Sequence, residues 1–244
     1  MALAYSRLAC LGEPPNPAGW ALAGNTPFRF WKQTAHEGGT RDPFIIAWPP
    51  KIPSGGAVRS QFTHANDLMP TLLELADVPM PAEIRGVAQK PLEGASFAAT
   101  LADALAPAPK SVQYFEMLAN RGVWQDGWKA VTFHGRYPWD STGTNPNFDA
   151  DVWELYKLAE DPSETHDLAA THPEKVKALK SLFHQEALKY NVYPLDDTTG
   201  SRILQTTAAL TAGITNFRYA QGDARISEQS SPPVKGRSHV IEAT

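Results

Sequence analysis

The sequence predicts an α/β chain in two parts, a layered α/β unit followed by a small antiparallel sheet carrying one long helix. Three observations predict it. A short apolar run at 44–48 leads into a helix-spaced segment, three later runs rich in Val, Tyr, Phe and Trp are separated by turn residues, and an amphipathic stretch closes the patterned region.

Residues 12–29 hold Pro14, Pro15, Pro17 and Pro27 among Gly12, Gly19 and Gly24, a composition that forbids regular helix or central strand and reads as a long loop. The run 44–48, bounded by Pro43 and Pro49, suits a strand of a sheet covered on both faces, with Pro49, Pro50, Pro53 and Gly55 turning the chain out of it. Leu68, Leu72, Leu75 and Ala76 have helical spacing, with Asn66 or Asp67 able to cap, Pro70 tolerated in the first turn and Pro79 and Pro81 as the stop. An Ala/Pro-rich connection at 98–110 separates the two parts. Strands are expected at 111–117, 127–133 and 152–156, with Asn120, Gly122, Asp126 and Gly127 as turn residues between them. Thr171 and Glu174 read as a capping box for a helix whose stripe is Val176, Leu179, Phe183 and Ala187. After Asp196 the periodicity fades, and 238–244 reads as a strand with no partner in this sequence. The expected division is therefore 1–103, 104–197 and 198–244.

Composition narrows the function. With 244 residues, 42% of them hydrophobic, the chain can bury a core. The 22 Lys+Arg against 26 Asp+Glu give a net charge of −4 with no run of one sign, which gives a nucleic-acid or membrane-surface role no electrostatic support. A single cysteine, Cys10, excludes an intrachain disulfide framework and a multi-cysteine zinc site. The N-terminus does not read as a signal peptide, and nowhere do about 18 apolar residues run together, so no membrane span is expected. Cytoplasm and periplasm both fit.

Two clusters have the residue types that chemistry needs. In the stretch from Asn25 to Arg41, Lys32, His36, Glu37 and Arg41 lie on a glycine-punctuated loop before the expected strand, where α/β proteins place their sites. Lys32, beside Phe30 and Trp31, is the best candidate for holding an anionic oxygen, because an ammonium sheltered by apolar rings attracts an anion more strongly than one in bulk water. From spacing alone, however, a solvated loop lysine is the better reading. Glu37 before Gly38-Gly39 reads as a structural carboxylate accepting backbone N–H groups in a tight turn. His64, Asn66 and Asp67 include metal-ligand types, but at a helix start capping is the better reading. His134, His166, His172 and His184 share no ligand spacing, and Cys10 has no paired histidine nearby in sequence.

These segments resemble a known family. Asn25-Thr-Pro-Phe-Arg29, Lys32, His36-Glu-Gly-Gly39, Arg41-Asp-Pro-Phe-Ile45 and Trp48-Pro49 are similar to the stretch carrying the second active-site lysine of bacterial arylsulfatases. The similarity continues through Phe62-Thr-His64, Asp67-Leu-Met-Pro-Thr-Leu-Leu-Glu-Leu-Ala76, Gly127-Trp-Lys-Ala-Val131, Trp153-Glu-Leu-Tyr156, Asp161-Pro-Ser-Glu164 and Asp167-Leu168. Several motifs in family order make chance agreement very small. The tail, with Arg225-Ile-Ser-Glu228 and Pro233-Val-Lys-Gly-Arg-Ser238, resembles the link into an extra C-terminal region of longer members.

The resemblance implies the C-terminal portion of an alkaline-phosphatase-like mixed-sheet domain, followed by a small antiparallel sheet with one long helix. It implies hydrolysis of sulfate esters by a formylglycine nucleophile with a calcium ion. The Cys-x-Pro-x-Arg precursor and the calcium ligands belong to a region N-terminal to the similarity, and Cys10 is followed by Leu11-Gly12, which does not match the precursor. Of the family's catalytic positions only Lys32 is matched, with His36 beside it as a substrate-binding candidate, and no metal ligand is assigned in this chain. The expected partners are a sulfate ester and an N-terminal half encoded upstream. Two other readings compete: a phosphodiesterase or phosphonate hydrolase of the same superfamily, and a non-catalytic remnant or interaction module.

Overall fold

The computed structural model of the protein describes residues 18–52, 56–135, 147–198, 211, 213–219, 231–232, 234 and 238–242. Cys10 and the prolines at 14, 15 and 17 lie outside them. The chain divides after Asp197 into two compact units. The described residues of the second unit form turns and irregular segments. The strand expected at 238–244 is not formed over 238–242, where Val240 and Ile241 stand exposed, because a strand needs a neighbour to take its N–H and C=O groups.

The first unit is built around a four-stranded antiparallel sheet. After a two-stranded hairpin, β1 (Glu83–Ile84) and β2 (Val87–Ala88), the strands β3 (Val112–Met117), β4 (Asn120–Gln125), β5 (Trp128–Thr132) and β6 (Trp153–Lys157) lie side by side in chain order. Two tight turns fix the register. Asp126 and Gly127, with φ of 49° and 85°, close β4 onto β5 in the left-handed turn geometry that matches sheet twist. Leu118 and Ala119, at 53° and 67°, do the same between β3 and β4, and the Glu116 carboxylate steadies them by accepting from the Ala119 amide at 2.8 Å.

β4 was not expected. Asn120 and Gly122 read as turn residues, yet they lie in this inner strand, which is buried from Asn120 to Trp124. The glycine is there for close approach: a Cβ on Gly122 would sit 3.2 Å from the Cβ of Ala35, so the missing side chain makes room for the 25–41 loop. Alternation along the strands then sorts the sheet into two faces. One carries Val123, Ala130, Trp153 and Leu155 and is covered by the long helix Pro173–Lys189 through Leu179, Phe183 and Ala187. The other carries Lys129, Val131, Glu154 and Tyr156 and receives the 25–41 loop, with Ala35 in its small apolar centre.

The long helix starts differently from expectation. His172 occupies the N-cap position without a side-chain bond and Pro173 takes the first helical position, while the Thr171 hydroxyl donates to the Leu168 carbonyl at 3.0 Å. The capping box is absent because proline supplies the start: its fixed φ and missing N–H remove one need for a cap. Before the sheet, Ala18–Gly24 is a seven-residue helix where a loop was expected; the prolines at 14, 15, 17 and 27 flank this stretch rather than interrupt it. The helix Leu68–Leu75 forms as its spacing predicts. The strand expected at 44–48 does not: that segment is irregular, with Phe44 54% and Ile45 92% exposed, and no described residue lies alongside as a ladder partner. A short helix, Ala98–Ala102, interrupts the expected Ala/Pro connection and buries Leu101.

Candidate functional site

The 25–41 loop is shaped by its own backbone. The Asn25 side-chain amide donates to the carbonyls of Phe30 and Gly38, both at 2.8 Å, and the Gly38 amide donates to Arg29 O at 3.0 Å. A Cβ on Gly38 would fall 2.1 Å from Arg29 O, and one on Gly39 would fall 2.2 Å from Thr34 O, so the glycine pair is a packing requirement. Phe30 and Gln33 are left-handed, with φ of 60° and 77°, and bracket Trp31 and Lys32 in a sharp turn. Such a conformation costs on the order of 1 kcal/mol per non-glycine residue and persists only where the surroundings enforce it. Lys32 is exposed and has no hydrogen bond or ion pair among the described residues.

The loop is anchored on either side of Lys32 by partly buried charge. Glu154 Oε2 accepts from Arg29 Nη1 at 2.9 Å, from His36 Nε2 at 3.1 Å and from the Tyr156 hydroxyl at 2.6 Å. Burial raises the Glu154 carboxyl, but the hydrogen bonds from His36 and Tyr156 and the charges of His36 and Arg29 outweigh it and hold the group at about 2. Tyr156 is pushed upward by burial and by its bond to Glu154. Since ionised Glu154 only accepts, His36 Nε2 carries a proton. His36 is fully buried, its ring edge-on to Phe30, and its Nδ1 has no hydrogen-bond partner among the described residues.

A second anchor lies one turn further on. Lys129, fully buried on β5, donates to Glu37 Oε1 at 2.8 Å and Thr40 Oγ1 at 3.0 Å, and stands 3.5 Å from Glu164 Oε1. Glu37 is thus structural as expected, but its carboxylate meets the Lys129 ammonium and Arg41 at 3.2 Å rather than backbone amides. The Glu37 amide donates instead to Glu164 Oε2 at 2.9 Å. Burial raises the Glu164 carboxyl, against the pull of Lys129 and His36.

Lys129, Glu154 and Glu164 were not picked out as site residues from the sequence. A signal existed: in the run Trp128 to Thr132 the lysine shares the alternation of Val131, which places it on a packed face.

His64 and Asp67 form a reciprocal cap. The Asp67 carboxylate accepts from the His64 amide at 2.7 Å while His64 Nδ1 accepts from the Asn66 amide at 3.3 Å. Asp67 is also fully buried, receiving the Ala95 amide at 2.8 Å and the Lys110 ammonium at 2.6 Å. His134 is buried between Asp151, at 2.7 Å from Nδ1, and Asp197, at 3.7 Å from Nε2. Among the described residues no three His, Cys, Asp or Glu side chains are grouped to hold a metal ion, and no helix is long and apolar enough to cross a membrane. A cavity of about 420 Å³ runs along the open edge of β3, reaching Gln33 and Thr34 but not lined by Lys32.

Comparison with known proteins places this arrangement. The family model described as N-sulphoglucosamine sulphohydrolase, C-terminal, matches residues 28–191. An uncharacterized sulfatase of Schizosaccharomyces pombe is 30% identical over 163 residues, covering 66% of this chain and 27% of that protein. Arylsulfatase K of Xenopus laevis is 28% identical over 156 residues, covering 62% of this chain and 26% of that protein. The crystal structure of Ps i-CgsB, solved also with k-i-k-neocarrahexaose, superposes with a TM-score of 0.52 at 19% identity, covering 80% of this chain and 37% of that one, a likeness of fold alone. This chain spans about a quarter of the length of the curated relatives it matches. It belongs to the sulfatase family and corresponds to the C-terminal portion of its members.

Proposed function

We propose that this chain is the Lys32-bearing portion of a sulfuric ester hydrolase of the arylsulfatase type, and that Lys32 contacts a sulfate oxygen and stabilises charge developing on the departing oxygen. The observation that carries the reading is an exposed ammonium, without a partner among the described residues, on a loop held by internal contacts, inside a segment matched by a sulfatase family. An ammonium is a compact donor that meets such an oxygen at about 3 Å, and a preorganised donor of this kind is typically worth on the order of 10²–10³ in rate. His36, fully buried with Phe30 against its ring and bonded to Glu154, serves the substrate only indirectly, by holding the loop that carries Lys32.

A covalent step needs a nucleophile, and the resemblance implies that this group and the calcium ligands belong to a part of the enzyme other than the matched segment. Exposed Phe44, Ile45, Met69 and Leu72 support the same reading, since they are apolar side chains available to further structure.

The test has two arms. The isolated chain is expected to release no product from an aryl sulfate. Joined to the nucleophile-bearing half of a relative in an active enzyme, Lys32→Ala is expected to lower turnover at saturating substrate roughly 10²-fold or more, with a mild loss for His36→Ala. Near-normal turnover with Lys32→Ala would reduce Lys32 to a solvated loop residue.

A further inference from the structure

The residue that sets Lys32 in place lies more than a hundred positions away. Arg29 and His36 flank Lys32 in the chain, and both reach the same oxygen, Glu154 Oε2, at 2.9 and 3.1 Å. Arg29 adds bonds to the Tyr156 hydroxyl at 2.7 Å and the Glu164 carbonyl at 3.2 Å. The two ends of the turn thus close on one acceptor, and the turn between them contains the left-handed residues Phe30 and Gln33. A carboxylate oxygen has lone pairs in several directions and full negative charge, so it can draw together two donors that would otherwise repel or drift. Glu154 is itself held on β6, an element of regular backbone, and fixed by the Tyr156 hydroxyl at 2.6 Å. That arrangement is a rigid support under a flexible side chain.

We propose that Glu154 is a positioning residue, stapling the base of the Lys32 turn so that the lysine is presented at a fixed place for an anionic oxygen. The functional consequence rests on the role proposed for Lys32; the staple itself does not.

Hydrogen exchange of the 244-residue chain separates the two. Glu154→Ala is expected to speed exchange of the Glu37 and Gly38 amides on the order of tenfold or more, while amides from Leu179 to Ala187 in the long helix keep their protection. Glu154→Gln, nearly the same shape but uncharged, should give a smaller rise at the same amides, and Lys32→Ala should give none. Unchanged exchange at Glu37 and Gly38 in both Glu154 variants would overturn the proposal. So would an equal rise in loop and helix, which marks general destabilisation. In the active enzyme, Glu154→Gln combined with Lys32→Ala should be no slower than Lys32→Ala alone, because a support has nothing left to position; additive losses would overturn it. Should Lys32→Ala leave turnover intact while Glu154→Ala still frees the loop, the reading of Lys32 fails and the staple stands.

Discussion

Replacing Lys129 by methionine removes the cation that, among the described residues, pairs with both Glu37 and Glu164. The ammonium is fully buried and lies 2.8 Å from Glu37 and 3.5 Å from Glu164, whose side chain is also fully buried. Methionine keeps most of the apolar stem, so the loss is electrostatic. Glu37 retains Arg41 at 3.2 Å, an ion pair whose arginine is half exposed and therefore weak; among the described residues Glu164 retains the Glu37 amide and the more distant charges of His36 and Arg29. Breaking a buried pair in this way typically costs about 3–5 kcal/mol, and protonation of Glu164 caps the cost at the lower end. With a urea dependence of about 2 kcal/mol/M for a unit of this size, the unfolding midpoint should fall by roughly 1.5 M at pH 7. The sign with pH follows from linkage. Glu164 is already raised by burial and rises further without its cation, so the folded variant binds a proton more readily than the unfolded chain, and its stability improves as pH falls from 7 towards 5. Urea unfolding followed by tryptophan fluorescence at pH 7 and pH 5 measures both effects, and Glu164→Gln in the Lys129→Met background should recover part of the loss. A midpoint within about 0.5 M of the parent at pH 7, or a deficit that grows on acidification, would refute the reasoning.

Other outcomes follow from the same geometry. Gly38→Ala should cost about 3 kcal/mol or more in urea unfolding, since its Cβ would meet the Arg29 carbonyl at 2.1 Å. Glu154, held at about 2 against an ordinary 4.5, contributes stability that is present above about 4.5 and lost as pH falls towards 2. After discounting for its partial exposure this is about 1–2 kcal/mol, and Glu154→Gln should flatten that part of the stability–pH curve. Asp67→Ala should cost about 3 kcal/mol in chemical unfolding, because it leaves the His64 and Ala95 amides without their acceptor and Lys110 without its anionic partner, with only the Asn66 and Gln113 side-chain oxygens remaining to it. Thr171→Ala should change the melting free energy by less than about 0.5 kcal/mol, as the hydroxyl caps no amide of the helix that follows.

What the sequence disclosed divides along physical lines. Local signals were legible: the Asp126-Gly127 turn, the Leu68 to Leu75 spacing and the Leu179, Phe183, Ala187 stripe each depend on neighbours within a few residues. Gly122 misled because a glycine reads as a turn from composition, whereas its reason is a contact with Ala35, remote in sequence. The run at 44–48 misled in the opposite way, as apolar character says that a strand suits a segment but supplies no ladder partner. Lys32 and His36 were visible as residue types on a glycine-rich loop. Glu154 and Glu164 were not, because the groups that neutralise them are distant in sequence, and Lys129 left only the trace of sharing the alternation of Val131.

The anchors of the 25–41 loop come late in the chain. Arg29 and His36 meet Glu154 across separations of 125 and 118 residues, and the Glu37 amide meets Glu164 across 127. A ribosome therefore delivers Lys32 long before it delivers anything that can hold it, and closing so long a loop early is entropically unfavourable. Strands β3, β4 and β5, joined by tight turns, have no such wait. The presentation of Lys32 is accordingly a finishing event in assembly, and a defect in β6 or the turn after it would reach the loop even where the loop's own sequence is intact.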